Sequence, residues 1–192
     1  MYWSNIQNCI MYEINPDAFS SGQIGSKIWL CEELERTKWT SNLTYIYGGW
    51  YGITAFLLLS RGKFKVNQIQ SFDLDPACEP IADMINENWV WQEWKFKAFT
   101  LDCNSYVRGS PDLVINTSTE HFESNEWFDQ IPYGTRIILQ GNNMPHEDHH
   151  VHSADLKAFV NSYPITTLNY AGQKDFEYPT WKFSRFMIIG VK

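Results

Sequence analysis

Three places in the chain combine residue types able to hold a ligand, each directly after a short apolar run. The first is Gly48-Gly49-Trp50-Tyr51-Gly52, which follows the run at 43–47. Glycine there lets the backbone turn tightly and approach a ligand, and a helix that follows offers unpaired N–H groups. A sharp strand end needs the same glycines with no ligand present, so the turn alone decides nothing. Asp73 is more telling. It stands 21 residues beyond Gly52, at the end of the run 68–73, where a carboxylate accepts hydrogen bonds from both hydroxyls of a ribose. Asp75 reads as a helix cap ahead of Pro76. Asp102 closes a third run in Phe99-Thr100-Leu101-Asp102-Cys103, and its carboxylate with the adjoining backbone N–H suits an adenine edge. A solvated loop aspartate is the plain alternative, but three successive run ends suited to a nucleoside favour one site.

A polar stretch, Asn116-Thr117-Ser118-Thr119-Glu120-His121, follows the run at 113–115. It caps a helix, or faces the reacting end of a ligand, or does both. Within it, His121 with Glu120 is the first candidate for moving a proton. Four of the five histidines crowd into Pro145-His146-Glu147-Asp148-His149-His150-Val151-His152. His146, His150 and Asp148 have ligand chemistry for zinc or iron, but the H-E-x-x-H spacing on a helix is missing. A polar loop is the preferred reading and no metal is expected. Between the two stands a third reading, in which His146 and His150 meet His121 near the substrate as further catalytic candidates. Arg185 reads as a surface charge in preference to an anchor for an anionic substrate.

These residues need a frame that gathers the run ends. Ile28, Leu30, Cys31 and Leu34 alternate with acidic residues at helical spacing over 26–36. Strand-like runs at 43–47, 68–73, 95–101, 113–115 and 136–140 are separated by helical patterns from 53, from 76 to about 88, over 120–129 and over 153–162. Segments 165–170 and 186–191 have no obvious helix between them and read as a hairpin, an antiparallel edge. Such alternation implies an α/β sheet with helices on both faces, whose ligands bind outside the carboxyl ends of the strands.

Composition narrows the class. With 192 residues, 44% hydrophobic and 16% aromatic, the chain is expected to form one domain over 1–192, with residues 1–20 as an N-terminal extension or lid. The formal charge of −7 supplies no positive field for phosphates, which makes nucleic acid the less favoured partner. Cys9, Cys31, Cys78 and Cys103 form no C-x-x-C pair and read as reduced thiols in a cytoplasmic protein. The longest apolar run, 55–59, falls far short of the ~20 residues of a membrane helix, so no membrane association is expected.

In order and spacing, the elements from about residue 20 onward resemble the class I S-adenosylmethionine-dependent methyltransferases. The carrying motifs are Tyr45-Ile46-Tyr47-Gly48-Gly49-Trp50-Tyr51-Gly52, Ser71-Phe72-Asp73-Leu74-Asp75-Pro76, Leu101-Asp102-Cys103 and Asp112-Leu113-Val114-Ile115-Asn116. The resemblance implies a Rossmann-like three-layer sandwich, with a mostly parallel seven-stranded sheet and a C-terminal antiparallel hairpin. It implies S-adenosylmethionine as cofactor, Gly48, Gly49 and Gly52 near its methionine part, Asp73 at the ribose and Asp102 at the adenine. Leu74, Cys103 and Asn116 fall within the same cofactor motifs. Trp50 and Tyr51 either cover the cofactor or fill the helix–sheet interface, and Lys27 is a candidate for its carboxylate. The expected acceptor is a small molecule. Asn116-Thr117-Ser118-Thr119 lacks the Asn/Asp-Pro-Pro-Tyr/Phe signature of the members that methylate DNA amino groups. A nicotinamide-dinucleotide protein ranks lower, because G-x-G-x-x-G is absent. The competing classes are a non-catalytic nucleoside-binding protein on this fold and an enzyme using the same cofactor for another reaction.

Overall fold

The computed structural model describes residues 13–105, 109–179 and 181–192. Its seven-stranded sheet comprises β1 Thr40–Tyr47, β2 Lys65–Asp73, β3 Phe96–Thr100, β4 Leu113–Asn116, β5 Arg136–Asn142, β6 Thr167–Tyr178 and β7 Trp181–Val191. The order is β3-β2-β1-β4-β5-β7-β6, with the first five strands parallel and β7 antiparallel to both its neighbours. The helices are α1 Ser21–Thr37, α2 Ile53–Arg61, α3 Cys78–Ile85, α4 Glu87–Val90, α5 Glu126–Asp129 and α6 Leu156–Asn161, with 3-10 turns at Pro16–Phe19 and Thr119–His121. This is the expected Rossmann-like sandwich with its antiparallel hairpin.

The two-residue period of a strand explains why the runs are apolar throughout. Ile46 joins a core with Leu30 and Leu34 of α1 and Ala55 and Leu58 of α2. Its neighbours Tyr45 and Tyr47 point the other way, into a core with Trp127, Phe128 and Phe159. Ile138 and Ile189 join the first core, and Ile137, Leu139 and Ile188 the second. Both faces are covered, so most side chains on either face are apolar and the few polar ones, such as Thr44 and Gln140, are buried.

Several boundaries differ from the sequence expectation. The helix expected over 120–129 is replaced by the Thr119–His121 turn and the single turn α5. Phe122 interrupts it with extended backbone (φ −86°, ψ 130°), and its ring packs against Trp127 at 5.3 Å. The helix expected from Pro76 starts at Cys78, because Asp75 Oδ1 accepts the N–H of Ala77 and holds a turn there. It breaks at Asn86, whose Nδ2 donates to the carbonyls of Gly52 and Ala82. The hairpin strands run longer than the apolar segments suggest. On β6 most residues are exposed, so the apolar signal fades although pairing with β7 continues to Tyr178↔Trp181. Stacked rings of Phe176, Phe183, Trp181 and Tyr178 stabilise that far end.

α1 begins at Ser21, five residues before the apolar periodicity, because Ser20 accepts the N–H of Gln23 as its cap. Ahead of it, Ala18 packs with Tyr51, Ile53, Cys78 and Ile81, and the N–H of Asn15 donates to the Tyr51 hydroxyl at 3.1 Å. The rest of the expected lid, residues 1–12 with Cys9, lies outside the described residues. Cys31, Cys78 and Cys103 are buried free thiols. No helix among the described residues is long and apolar enough to cross a membrane.

Candidate active site

Beyond the carboxyl ends of β1, β2, β3 and β4 opens a cavity of about 490 Å³, within the range of small-molecule sites. Its floor is the glycine turn. Gly48, Trp50 and Gly52 all have positive φ, 59°, 47° and 70°. For tryptophan that conformation is uncommon and costs on the order of 1 kcal/mol or more. The N–H of Trp50 donates to Asp73 Oδ2 at 2.7 Å, which compensates part of the strain and fixes the turn against β2. Gly49 sits so close to β2 that a Cβ would fall 1.9 Å from Ser71 Oγ, and one on Gly52 would fall 2.7 Å from Asn86 Nδ2. Gly48 and Trp50 therefore line the cavity, whereas Gly49 and Gly52 serve close packing behind it and Tyr51 packs on the N-terminal segment.

Asp73 carries the wall on the β2 side. Its Oδ1 accepts the N–H of Asp75 at 3.1 Å and its Oδ2 that of Trp50. Burial pushes the carboxyl above its ordinary range, while these two N–H groups pull it back down. The Cys78 thiol adds a third, weaker contact, and the carboxylate keeps lone-pair capacity for a further donor. Leu74 is 70% exposed, yet with Leu101 it lines the cavity as an apolar bed. Asp102 Oδ1 accepts the N–H of Asn104 at 2.8 Å, which leaves Oδ2 free of that turn. Asn104 Oδ1 is a buried acceptor without a partner among the described residues; a ligand donor would satisfy it. Cys103 also borders the cavity, but burial pushes its thiol up to about 12, which makes it a poor nucleophile. Asn116 is fully buried behind the wall and accepts the N–H of Ser118.

The opposite rim comes from the stretch after β4 and the histidine loop, through Ser118, His121, Phe122, Glu123 and His150. Glu120 stands behind it, 3% exposed. Asn142 donates to its Oε1, and Arg185 Nη1 lies 3.6 Å from the same oxygen. Arg185, expected on the surface, is 5% exposed, because the register pairs it with Asn142 on β5 and turns it toward Thr117, whose carbonyl it reaches at 3.2 Å. The N–H groups of His150 and Val151 both donate to the Glu120 carbonyl, at 2.8 and 3.3 Å, and so bring the histidine loop to the rim. The ring that meets His121 is that of His149, edge-on at 4.8 Å. His149 Nδ1 lies 2.8 Å from the Met144 carbonyl, and burial lowers its ionisation below the ordinary histidine value. His146 is exposed on the far side, 5.3 Å from the His149 ring.

Lys27 is one side chain removed from the cavity. Its Nζ donates to Gln23 Oε1 at 2.7 Å, and Gln23 lines the wall. Burial lowers its ionisation to about 7, aided by Arg185 and opposed by Glu120 and Asp17. Sequence reasoning missed Gln23, Asn104, Phe122 and His149. His149 sits inside a stretch already singled out, Phe122 directly follows another, and Gln23 gave no signal because the periodicity starts beyond it.

The sheet order and the position of the cavity define the fold of the S-adenosylmethionine-dependent methyltransferases. No family model and no curated protein sequence matches the chain. Solved structures do. The N-methyltransferase NodS from Bradyrhizobium japonicum WM9, in complex with S-adenosyl-L-homocysteine, superposes with a TM-score of 0.65 at 9% identity, covering 88% of this chain and 87% of that one. Magnesium protoporphyrin IX methyltransferase from Synechocystis PCC 6803, with S-adenosylmethionine bound, gives 0.63 at 13%, covering 88% and 80%. At such identities the likeness is one of fold.

Proposed function

We propose that this chain is a single-domain S-adenosylmethionine-dependent methyltransferase acting on a small-molecule acceptor. The observation that carries the reading is the Asp73 carboxylate, held by two backbone N–H groups at the edge of a cavity whose other walls suit the rest of an adenosyl group. Its remaining lone-pair capacity suits a ribose hydroxyl. Leu74 and Leu101 offer an apolar bed for the base, and Asp102 and Asn104 Oδ1, which has no partner among the described residues, offer acceptors for an exocyclic amine. Among the described residues the lining holds Asp73, Asp102 and Glu123 but no lysine or arginine, which suits a cationic ligand and disfavours a phosphate-rich acceptor.

Bound there, S-adenosylmethionine supplies a methyl group on a sulfonium, whose departure leaves a neutral thioether. The chain then needs little acid–base work, and its main task is alignment. Gly48 and Trp50 shape the floor under the reacting end, and His121 and His150 stand on the acceptor rim, able to orient a nucleophile. Glu120, braced by Arg185 and Asn142, supports that rim from behind.

Calorimetric titration with S-adenosylmethionine and S-adenosylhomocysteine tests the reading. Wild type is expected to bind both, and Asp73→Ala to lose about 10- to 100-fold in affinity as charge-assisted hydrogen bonds disappear. Equal binding by the variant would remove the ribose assignment. Tight binding with no methyl transfer to any acceptor offered would instead favour the non-catalytic class.

A further inference from the structure

The cluster of Glu120, His121 and His149 has a property that methyl transfer does not require. One potential ligand atom from each lies within 4.8 Å of the other two. We propose that these three residues bind one divalent transition metal ion of the zinc, iron(II) or manganese class, at the acceptor rim of the cavity.

Two observations beyond proximity support it. Glu120 Oε2 is buried and has no hydrogen-bond partner among the described residues, while Oε1 is occupied by Asn142 and Arg185. A carboxylate oxygen kept dry and unpaired in this way is costly unless something binds it. His149 Nδ1 faces the Met144 carbonyl at 2.8 Å, an arrangement that places the proton on Nδ1 and leaves the Nε2 lone pair for a metal. The surroundings act as the outer shell of such a site: Asn142 and Arg185 orient the carboxylate, and the two N–H groups on the Glu120 carbonyl hold the loop that carries His149.

Two imidazoles and a carboxylate are a ligand set for borderline divalent ions. Ligand atoms around a tetrahedral ion stand roughly 3.3 Å apart, so side-chain torsions must draw the three inward by up to about 1.5 Å. Arg185 offsets the Glu120 charge, so the ion is held more weakly than in a closed structural site. His121 borders the cavity, and the remaining positions of the ion open toward it. If the methyl-transfer reading holds, the acceptor then carries an oxygen or nitrogen donor that the ion can bind, and His121 orients the metal and takes no proton itself. The metal site itself does not depend on that reading.

The test uses the full-length chain, freed of metal by chelation and titrated separately with Zn2+, Mn2+ and Co2+ by calorimetry, with the visible spectrum of Co2+ as a second readout. One ion per chain is expected, with affinity reduced at least about tenfold in His149→Ala, His121→Ala and Glu120→Gln and retained in Asp148→Asn. His121 is exposed, so its variant reports on ligation even if the Glu120 variant folds poorly. Absence of stoichiometric binding would overturn the proposal, as would binding that survives His121→Ala and His149→Ala but is lost in His146→Ala with His152→Ala. Titration of the same samples with S-adenosylhomocysteine keeps failure of the metal site separate from failure of the cofactor reading.

Discussion

Arg185 on β7 and Glu120 in the turn after β4 face each other at 3.6 Å, both almost wholly buried. Sixty-odd residues of chain separate them, and the pairing of Asn142 with Arg185 across β5 and β7 brings them together. Removing one partner strands the other. Arg185→Met is expected to lower unfolding free energy by about 3–5 kcal/mol, measured by urea denaturation. Arg185→Met with Glu120→Gln should recover a substantial part of that loss, and a double variant no more stable than the single one would deny the coupling.

Lys27 offers a pH-dependent counterpart. Its folded ionisation lies near 7, against about 10.4 in an unfolded chain. Between those values the unfolded chain binds the extra proton, so this group makes stability rise with pH from about 7 to about 10. Lys27→Met should flatten that slope and stabilise the protein at pH 7 and below, by on the order of 1–3 kcal/mol. Thermal melts across pH 6–10 check it, and an unchanged slope would refute the assignment.

The strand-end side of the cavity was legible in the sequence and the rim formed by the histidine loop was not, for a physical reason. Gly48, Asp73 and Asp102 each stand at or just past the end of their own strand, so local apolar patterning and a turn locate them. Arg185 looked like a surface charge because the partner that buries it depends on β7 entering between β5 and β6, a long-range pairing with no local signature. Lys27 looked like the start of a helix, yet the Ser20 cap places it in the second turn. Phe122 broke an expected helix because cavity and core packing outweighed helical propensity. Which histidine of the loop meets His121 was likewise set by two hydrogen bonds to the Glu120 carbonyl, which no spacing encodes.

On the outer surface, Arg61 of α2 clasps Glu35 of α1 with two hydrogen bonds, at 2.6 and 3.0 Å. That bond holds the Glu35 carboxyl below its ordinary range. Its stabilisation is fully present above the unfolded value of about 4.3 and is lost as pH falls through the lower folded value. Glu35→Gln is therefore expected to cost about 0.5–1 kcal/mol at pH 7 and nothing once the wild-type carboxyl is protonated. Denaturation at neutral pH and at about pH 2 gives the comparison, and a penalty equal at both would argue against the pair.

Gly52 distinguishes packing from binding within the turn. Its φ of 70° and the contacts awaiting a Cβ at Asn86, Ala82 and Phe96 make Gly52→Ala destabilising by about 1–3 kcal/mol. Because its backbone faces α3, the folded variant should keep its affinity for S-adenosylhomocysteine within a few fold. A selective loss of affinity with stability intact would move Gly52 to the ligand.

The insertion of β7 between β5 and β6 also sets an order of assembly. As the chain emerges during synthesis, β1 through β4 can pair with one another before the C-terminal hairpin exists and shape the strand-end side of the cavity early, whereas the guanidinium that steadies Glu120 arrives only with the last of the described strands. Completion of the rim around Glu120 and His121 is thus deferred until late in folding, and kinetic traps are expected to be species in which the strand-end half of the cavity is formed and the rim opposite it is not.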